Sequence, residues 1–167
     1  MTKYRPIDEE RGLDFDPAWF TEARDTKLAT GKYCAFPPRT KAYTDFWQRE
    51  YDRCNNGMEA HGYRITGDHY FFLNYYQLPE SQVEKTGQGR GKIYPAFLSK
   101  QYEYFHYIEI CERTKHDVLA VKSRAVGFSE IAASLGVGLY STRKNAHSVY
   151  TAFALPHLED VLGKAWY

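Results

Sequence analysis

The sequence has few cysteines and none close to another: Cys34, Cys54 and Cys111 are far apart and odd in number. Neither a disulfide framework nor a CxxC metal knuckle can be built from them, so a reducing cytoplasm is the expected compartment. Charge of one sign is lacking as well. Lys and Arg number 22 against 21 Asp and Glu, a net charge of +1. No global field therefore announces a nucleic-acid or membrane partner, and any DNA contact has to come from a local patch. No apolar h-region follows the basic residues of the N-terminus, which argues against secretion. The longest apolar-leaning stretch, Ile131 to Tyr140, is about half of the roughly 20 residues a membrane-spanning helix needs. These absences point to a soluble intracellular protein without membrane contact.

Aromatic side chains are what the sequence has in quantity. Phe, Trp and Tyr make up 17% of its 167 residues, and Tyr alone contributes 15. Apolar residues at 43% suffice for a core and exclude a disordered or collagen-like chain. Much of that core has to be built with Tyr, whose hydroxyl requires water or a partner at the core edge. The length allows one ordinary domain, or a small domain with part of another. No internal repeat or low-complexity tract is visible.

Three regions follow one another. Residues 1–60 are charge-rich and mixed in sign, punctuated by Asp16-Pro17 and Pro37-Pro38, with a short helix expected from Thr44 to Arg53. Residues 61–95 hold a short strand between Gly62 and Gly67, then the aromatic run His69-Tyr-Phe-Phe-Leu-Asn-Tyr-Tyr76, which reads as a buried strand. Pro79 to Pro95 reads as a flexible connection; its Gly87, Gly89 and Gly91 are weak support for phosphate binding. Residues 96–167 alternate helix and strand. Ser99 can cap a helix whose Gln101, Tyr104, Phe105, Ile108 and Cys111 share one face. Val118-Leu-Ala-Val121 is an apolar run of the kind a strand buried on both faces shows. A second helix starts at Phe128 or Ser129, with Phe128, Ile131, Ala132, Leu135 and Leu139 as its stripe, and Asn145 suits a left-handed closing position. His147 to Ala152 reads as another strand, and Pro156 opens a last helix carrying Leu158, Val161, Leu162 and Ala165. The order argues for an α/β domain with a parallel sheet.

The informative segment is Val121-Lys-Ser-Arg-Ala-Val-Gly-Phe-Ser-Glu130. It follows the apolar run and opens an amphipathic helix, where consecutive amides and the helix N-terminus favour an anion. The pattern GxxxxGK[ST] fails here: aligned on Gly127, Lys122 stands where the first Gly belongs and Phe128 where the Lys belongs. Ser129 keeps the hydroxyl that would hold Mg²⁺. The charge on β- and γ-phosphates needs a cation within reach, which Lys122 at the start of the loop and Arg124 at its crown can supply, Arg124 as an internal arginine finger. Spacing alone leaves this reading open against a plain strand–turn–helix with exposed basic residues.

Lys122-Ser-Arg-Ala-Val-Gly-Phe-Ser129 resembles the deviant Walker A loop of large terminase subunits, the ATP-driven motors that package DNA into tailed-phage heads. The resemblance is closest to the lambda-like branch. Tyr94-Pro-Ala-Phe-Leu-Ser-Lys-Gln101 is similar to the stretch before the first ATPase helix of that family, and Gly67-Asp-His-Tyr-Phe-Phe-Leu-Asn74 to the aromatic segment preceding its core. The similarity covers residues 60–167. It implies an incomplete P-loop NTPase core of RecA/ASCE type, with a parallel sheet, preceded by a mixed, aromatic-rich N-terminal region. It also implies ATP and Mg²⁺ as ligands, with Gln101 on adenine, Lys122, Ser123, Arg124, Ala125, Val126, Gly127, Phe128 and Ser129 around the phosphates, and Ser129 on the metal. Lys122 and Arg124 are the expected catalytic residues. Double-stranded DNA, the small terminase subunit, the portal protein and further copies on the procapsid are the implied partners, in the host cytoplasm.

An ASCE-type ATPase also needs an apolar strand ending in Asp-Glu, and none follows Ser129; Glu159-Asp160 falls in an expected helix. The chain is therefore expected to stop inside the ATPase fold and to be inactive in hydrolysis alone. Two alternatives stand beside this reading. One is a docking module for the small subunit or portal that does not hydrolyse ATP, with a vestigial loop; the other is a different P-loop motor such as a helicase-like ATPase.

Overall fold

Thr66 decides how the aromatic segment folds. Its side-chain oxygen accepts the His69 amide at 3.2 Å, and the chain turns into helix α3 (Gly67–Asn74). The computed structural model describes residues 4–7, 15–79, 92–121, 127–152 and 154–165. Around α3 stand α1 (Glu22–Thr30), α2 (Lys41–Asn56), α4 (Ser99–Thr114) and α5 (Phe128–Thr142), with α6 (Leu155–Ala165) packed on α5. The strands among the described residues form two antiparallel pairs, β1 (Met58–Ala60) with β2 (Tyr63–Ile65), and β3 (Leu78–Pro79) with β4 (Lys92–Ile93).

The strand expected over His69–Tyr76 is thus corrected to a helix. Gly67 and His69 through Asn74 are all buried, so the helix has no polar face and shows no 3.6-residue period. Sequence alternation cannot separate such a helix from a strand buried on both sides. Its polar side chains differ: both ring nitrogens of His69 are buried without a hydrogen-bond partner among the described residues, the ring being stacked on Phe105, whereas Asn74 is fully used. Asn74 donates from Nδ2 to the carbonyls of Phe20 and Tyr70 and accepts the Arg24 amide, tying α3 to α1.

Glu50 of α2 is the second tie, 2% exposed in the middle of a hydrogen-bond cluster. Its carboxylate accepts from Arg53 at 2.9 Å, Arg49 at 3.3 Å, and the hydroxyls of Tyr70 and Tyr75 at 2.5 and 2.9 Å. Burial and the adjoining Glu50 carboxylate push both phenols well above their ordinary range. Here the Tyr-rich composition finds its polar partners inside the fold.

Between α2 and α3, β1 and β2 make a hairpin in the register Met58↔Ile65 and Ala60↔Tyr63. His61 and Gly62 both have positive φ, 50° and 78°, as the two-residue turn requires. Arg64 of β2 then grips Glu109 of α4 with two bonds of 2.6 and 2.8 Å.

The helices expected at Thr44–Arg53, from Ser99, from Phe128 and around Pro156 are present as α2, α4, α5 and α6. Their details differ. Leu98, not Ser99, is the N-cap of α4, and the buried residues of α5 are Ile131, Ala133, Ser134 and Gly138. Gly138 lets α5 approach Phe71 closely, since an added Cβ would stand 3.2 Å from the ring. Asn145 is left-handed, φ 58°, two residues past the C-cap Arg143.

Val118–Val121 and His147–Ala152, expected as strands, have no strand partner among the described residues. Leu119 is 82% and Val121 97% exposed, so the run is not buried here on either face. A strand covered on both sides exists only where neighbouring strands supply a ladder and helices supply the cover, and no described strand pairs with this run. Tyr150 does anchor the second segment: its hydroxyl donates to the Ala132 carbonyl of α5 at 3.0 Å, over Gly136. The glycines of the connection expected over Pro79–Pro95 lie outside the described residues, and its ends pair as β3 and β4.

One half-buried acid makes stability depend on pH. Burial, then Glu112, raises the Asp68 carboxyl to about 6 from 3.8, with Arg143 opposing. Between these values the folded state holds more protons than the unfolded chain, so stability falls as pH rises through the window and the loss is complete above it. The full displacement corresponds to about 3 kcal/mol; because the residue is only half-buried, about 1–2 kcal/mol is expected. Asp68→Asn should therefore raise the calorimetric unfolding midpoint near neutral pH and lose this advantage below the unfolded value of 3.8. Equal midpoints at neutral pH would contradict the assignment.

Candidate functional site

The first turns of α4 and the N-terminus of α5 converge. Gln101 is on the buried face of α4 and only 8% exposed. Its Oε1 is buried and has no hydrogen-bond partner among the described residues. Its Nε2 lies over the turn that enters α5, where a Cβ on Gly127 would stand 3.1 Å away. Gly127 is the N-cap of α5 with φ 77° and ψ 14°, a left-handed position that excludes most side chains. It closes the first helical bond, from the Ile131 amide to its own carbonyl, at 3.0 Å. One turn along α4, the Tyr104 ring meets Phe128 at 4.4 Å. Ser129 is half-buried at the second position of α5.

Of the expected site residues, Gln101 is thus placed against Gly127, with Phe128 and Ser129 following in the first turn of α5. Lys122, Ser123, Arg124, Ala125 and Val126 lie outside the described residues. The third residue of α5, Glu130, was not among the expected site residues. It accepts a hydrogen bond from Tyr76 at 2.9 Å and pairs with Lys164 of α6 at 3.4 Å. Its position three residues after an N-cap is the spacing at which a Glu closes a capping box, and that spacing is a signal the sequence does carry. Nothing in the sequence marks Lys164.

The chemistry available follows from two features. A helix N-terminus offers amide groups without intrahelical partners and the positive end of the helix dipole, and Gly127 has no side chain with which to bond them. Beside it, the orphaned Gln101 carbonyl oxygen is a buried acceptor, an arrangement that costs stability unless a donor arrives. An anion carrying a neighbouring N–H donor satisfies both. Among the described residues no group of three or more His, Cys, Asp or Glu side chains could hold a metal ion.

A separate cavity of about 420 Å³ opens beside α2, lined by Asp45, Arg49, Asp52, Arg53 and Asn56. Its arginines are engaged by Glu50, and none of the expected site residues lines it. No described helix is long and apolar enough to cross a membrane.

No protein-family model matches this chain, and neither a curated protein nor a solved structure matches it.

Proposed function

We propose that the chain is the ATP-binding portion of a viral DNA-packaging motor, the N-terminal part of a protein resembling the large terminase subunit. The observation that carries the reading is the buried, unpartnered Gln101 acceptor beside the N-terminus of α5 at Gly127. An amide suits the adenine edge because it offers both a donor and an acceptor. The α5 N-terminus suits the phosphates. Phe128 packs on Tyr104, so the position that carries Lys in the usual loop is turned to α4. The cation then has to come from Lys122 or Arg124. Ser129 would present its hydroxyl to Mg²⁺, a hard cation that takes oxygen ligands and, when bound, neutralises phosphate charge.

In this reading Val118–Val121 and His147–Ala152 are strands of a parallel P-loop sheet that flank α5. Hydrolysis is coupled to translocation of double-stranded DNA into the procapsid by copies of the chain, with the portal protein and the small subunit as partners, in the host cytoplasm. A docking module without turnover is the second reading, favoured by the exposure of Leu119, Val121 and Val149.

Isothermal titration with MgATP tests the choice. The wild-type protein should release heat, and Lys122→Ala should weaken binding by about ten-fold or more, the scale of a lost charge-assisted phosphate contact. Equal heats from the two proteins would remove Lys122 from the site and favour the docking module.

A further inference from the structure

Glu130 has a conflict built into its position. It is the third residue of α5, the position from which a Glu side chain can reach back to the N-cap amide as the reciprocal half of a capping box. There it would sit on the positive end of the helix, where an external anion has to bind. In the structure it is drawn elsewhere. Oε2 accepts from the Tyr76 hydroxyl at 2.9 Å, and Oε1 faces Lys164 Nζ at 3.4 Å.

Both partners are themselves held. Tyr76 is buried in the core beside Phe72, and its hydroxyl also reaches the Lys164 carbonyl at 3.2 Å. Lys164 pairs with Asp160 one turn back on α6 at 2.8 Å. Although burial works against its charge, the Asp160 and Glu130 carboxylates keep its ammonium above the ordinary range. The α5 N-terminus would not by itself define a site. The second observation is the buried Gln101 amide, whose Nε2 faces Gly127 and whose Oε1 has no hydrogen-bond partner among the described residues.

We propose that Tyr76 and Lys164 are positioning residues that hold Glu130 off the N-terminus of its own helix, so that the phosphate end of a nucleotide can occupy it. The inference rests on the nucleotide reading above. It assigns α6 a purpose in the site although no residue of α6 is buried and none touches Gln101 or Gly127 in the described contacts. When either partner is lost, Glu130 folds back as an internal competitor of like charge to the phosphate. Removing its charge then removes the competitor.

The test is a MgATP titration of the full chain as wild type, Tyr76→Phe, Lys164→Met, and each of these combined with Glu130→Gln. Tyr76→Phe deletes one hydroxyl and Lys164→Met keeps the apolar stem, so both are expected to fold; far-ultraviolet circular dichroism checks this. Each single variant should bind MgATP about ten-fold more weakly, the scale of an added like charge at a helix N-terminus. Adding Glu130→Gln should restore binding to near the wild-type value, which a merely structural role for Tyr76 or Lys164 would not do. Single variants that bind as wild type, or losses that Glu130→Gln does not restore, overturn the inference while the nucleotide reading stands. A wild-type protein that takes up no MgATP overturns the nucleotide reading itself.

Discussion

Gly67→Ala is expected to cost at least about 3 kcal/mol, at or beyond the upper end of overpacking substitutions, and to lower the denaturant midpoint accordingly. Gly67 opens α3 where the last turn of α2 crosses it. A Cβ there would overlap the Cys54 carbonyl oxygen and lie 2.8 Å from the Cys54 carbonyl carbon and 2.9 Å from that of Asn55. All three atoms are backbone, so no side chain can rotate away, and the two helices would have to separate by about an ångström. Separation is costly because α3 is the helix that α1, α2, α4 and α5 all pack against. Gly57 repeats the constraint on the other side of the hairpin, since its Cβ would overlap the Ile65 carbonyl oxygen. The control is Gly163→Ala in α6, where nothing lies within 4 Å of an added Cβ. There the helix should gain about 0.5–1 kcal/mol from the lower backbone entropy cost. Urea titration of both variants distinguishes the cases, and a Gly67→Ala protein within about 1 kcal/mol of wild type would contradict the close approach.

Legibility in the sequence varied with how each element is covered. Helices with one wet face, α2, α4 and α5, announced themselves because alternation between core and solvent writes a period into the chain. The core helix α3 did not, since seven of its residues are buried and no wet face alternates with a dry one. The signals that could have found it were Thr66 as a cap and Gly67 at a crossing. The segments 118–121 and 147–152 illustrate the opposite problem. Their composition is that of covered strands, yet Leu119, Val121 and Val149 are exposed and no described strand pairs with them. Composition specifies what a strand needs around it and says nothing about whether the neighbour is at hand. At the candidate site, the closeness of Gln101 to Gly127 was readable only through the resemblance, because no local pattern links α4 to the entrance of α5. The Glu130–Lys164 pair joins two helix ends by tertiary packing alone, and Tyr76 reaches it from more than fifty residues earlier in the chain.

If the proposed nucleotide reading holds, Arg124→Ala is the substitution with the largest expected effect on turnover. In a longer protein that contains this chain and hydrolyses ATP, kcat should fall by roughly 10³-fold or more with KM little changed, the scale of a lost arginine finger. The argument begins at Phe128. Its ring lies 4.4 Å from Tyr104, so the position that holds the phosphate-binding Lys in the usual loop is committed to packing against α4. Two cations precede it in the sequence, and they are unequal in kind. Lys122 is a compact charge on a flexible stem at the loop's entrance, suited to phosphate charge present from the moment of binding. Arg124 stands farther along with a planar fork of donors, suited to γ-phosphate oxygens that gain charge in the transition state. An interaction that strengthens only on the way to the transition state changes kcat, whereas one present throughout changes binding. The two side chains should therefore separate in steady-state kinetics: Lys122→Ala raises KM, and Arg124→Ala lowers kcat. A Gln101→Leu control belongs in the same experiment, because loss of a base contact should raise KM for ATP and narrow its preference over GTP without touching kcat. If Arg124→Ala raised KM and left kcat intact, the two cations would have to exchange roles.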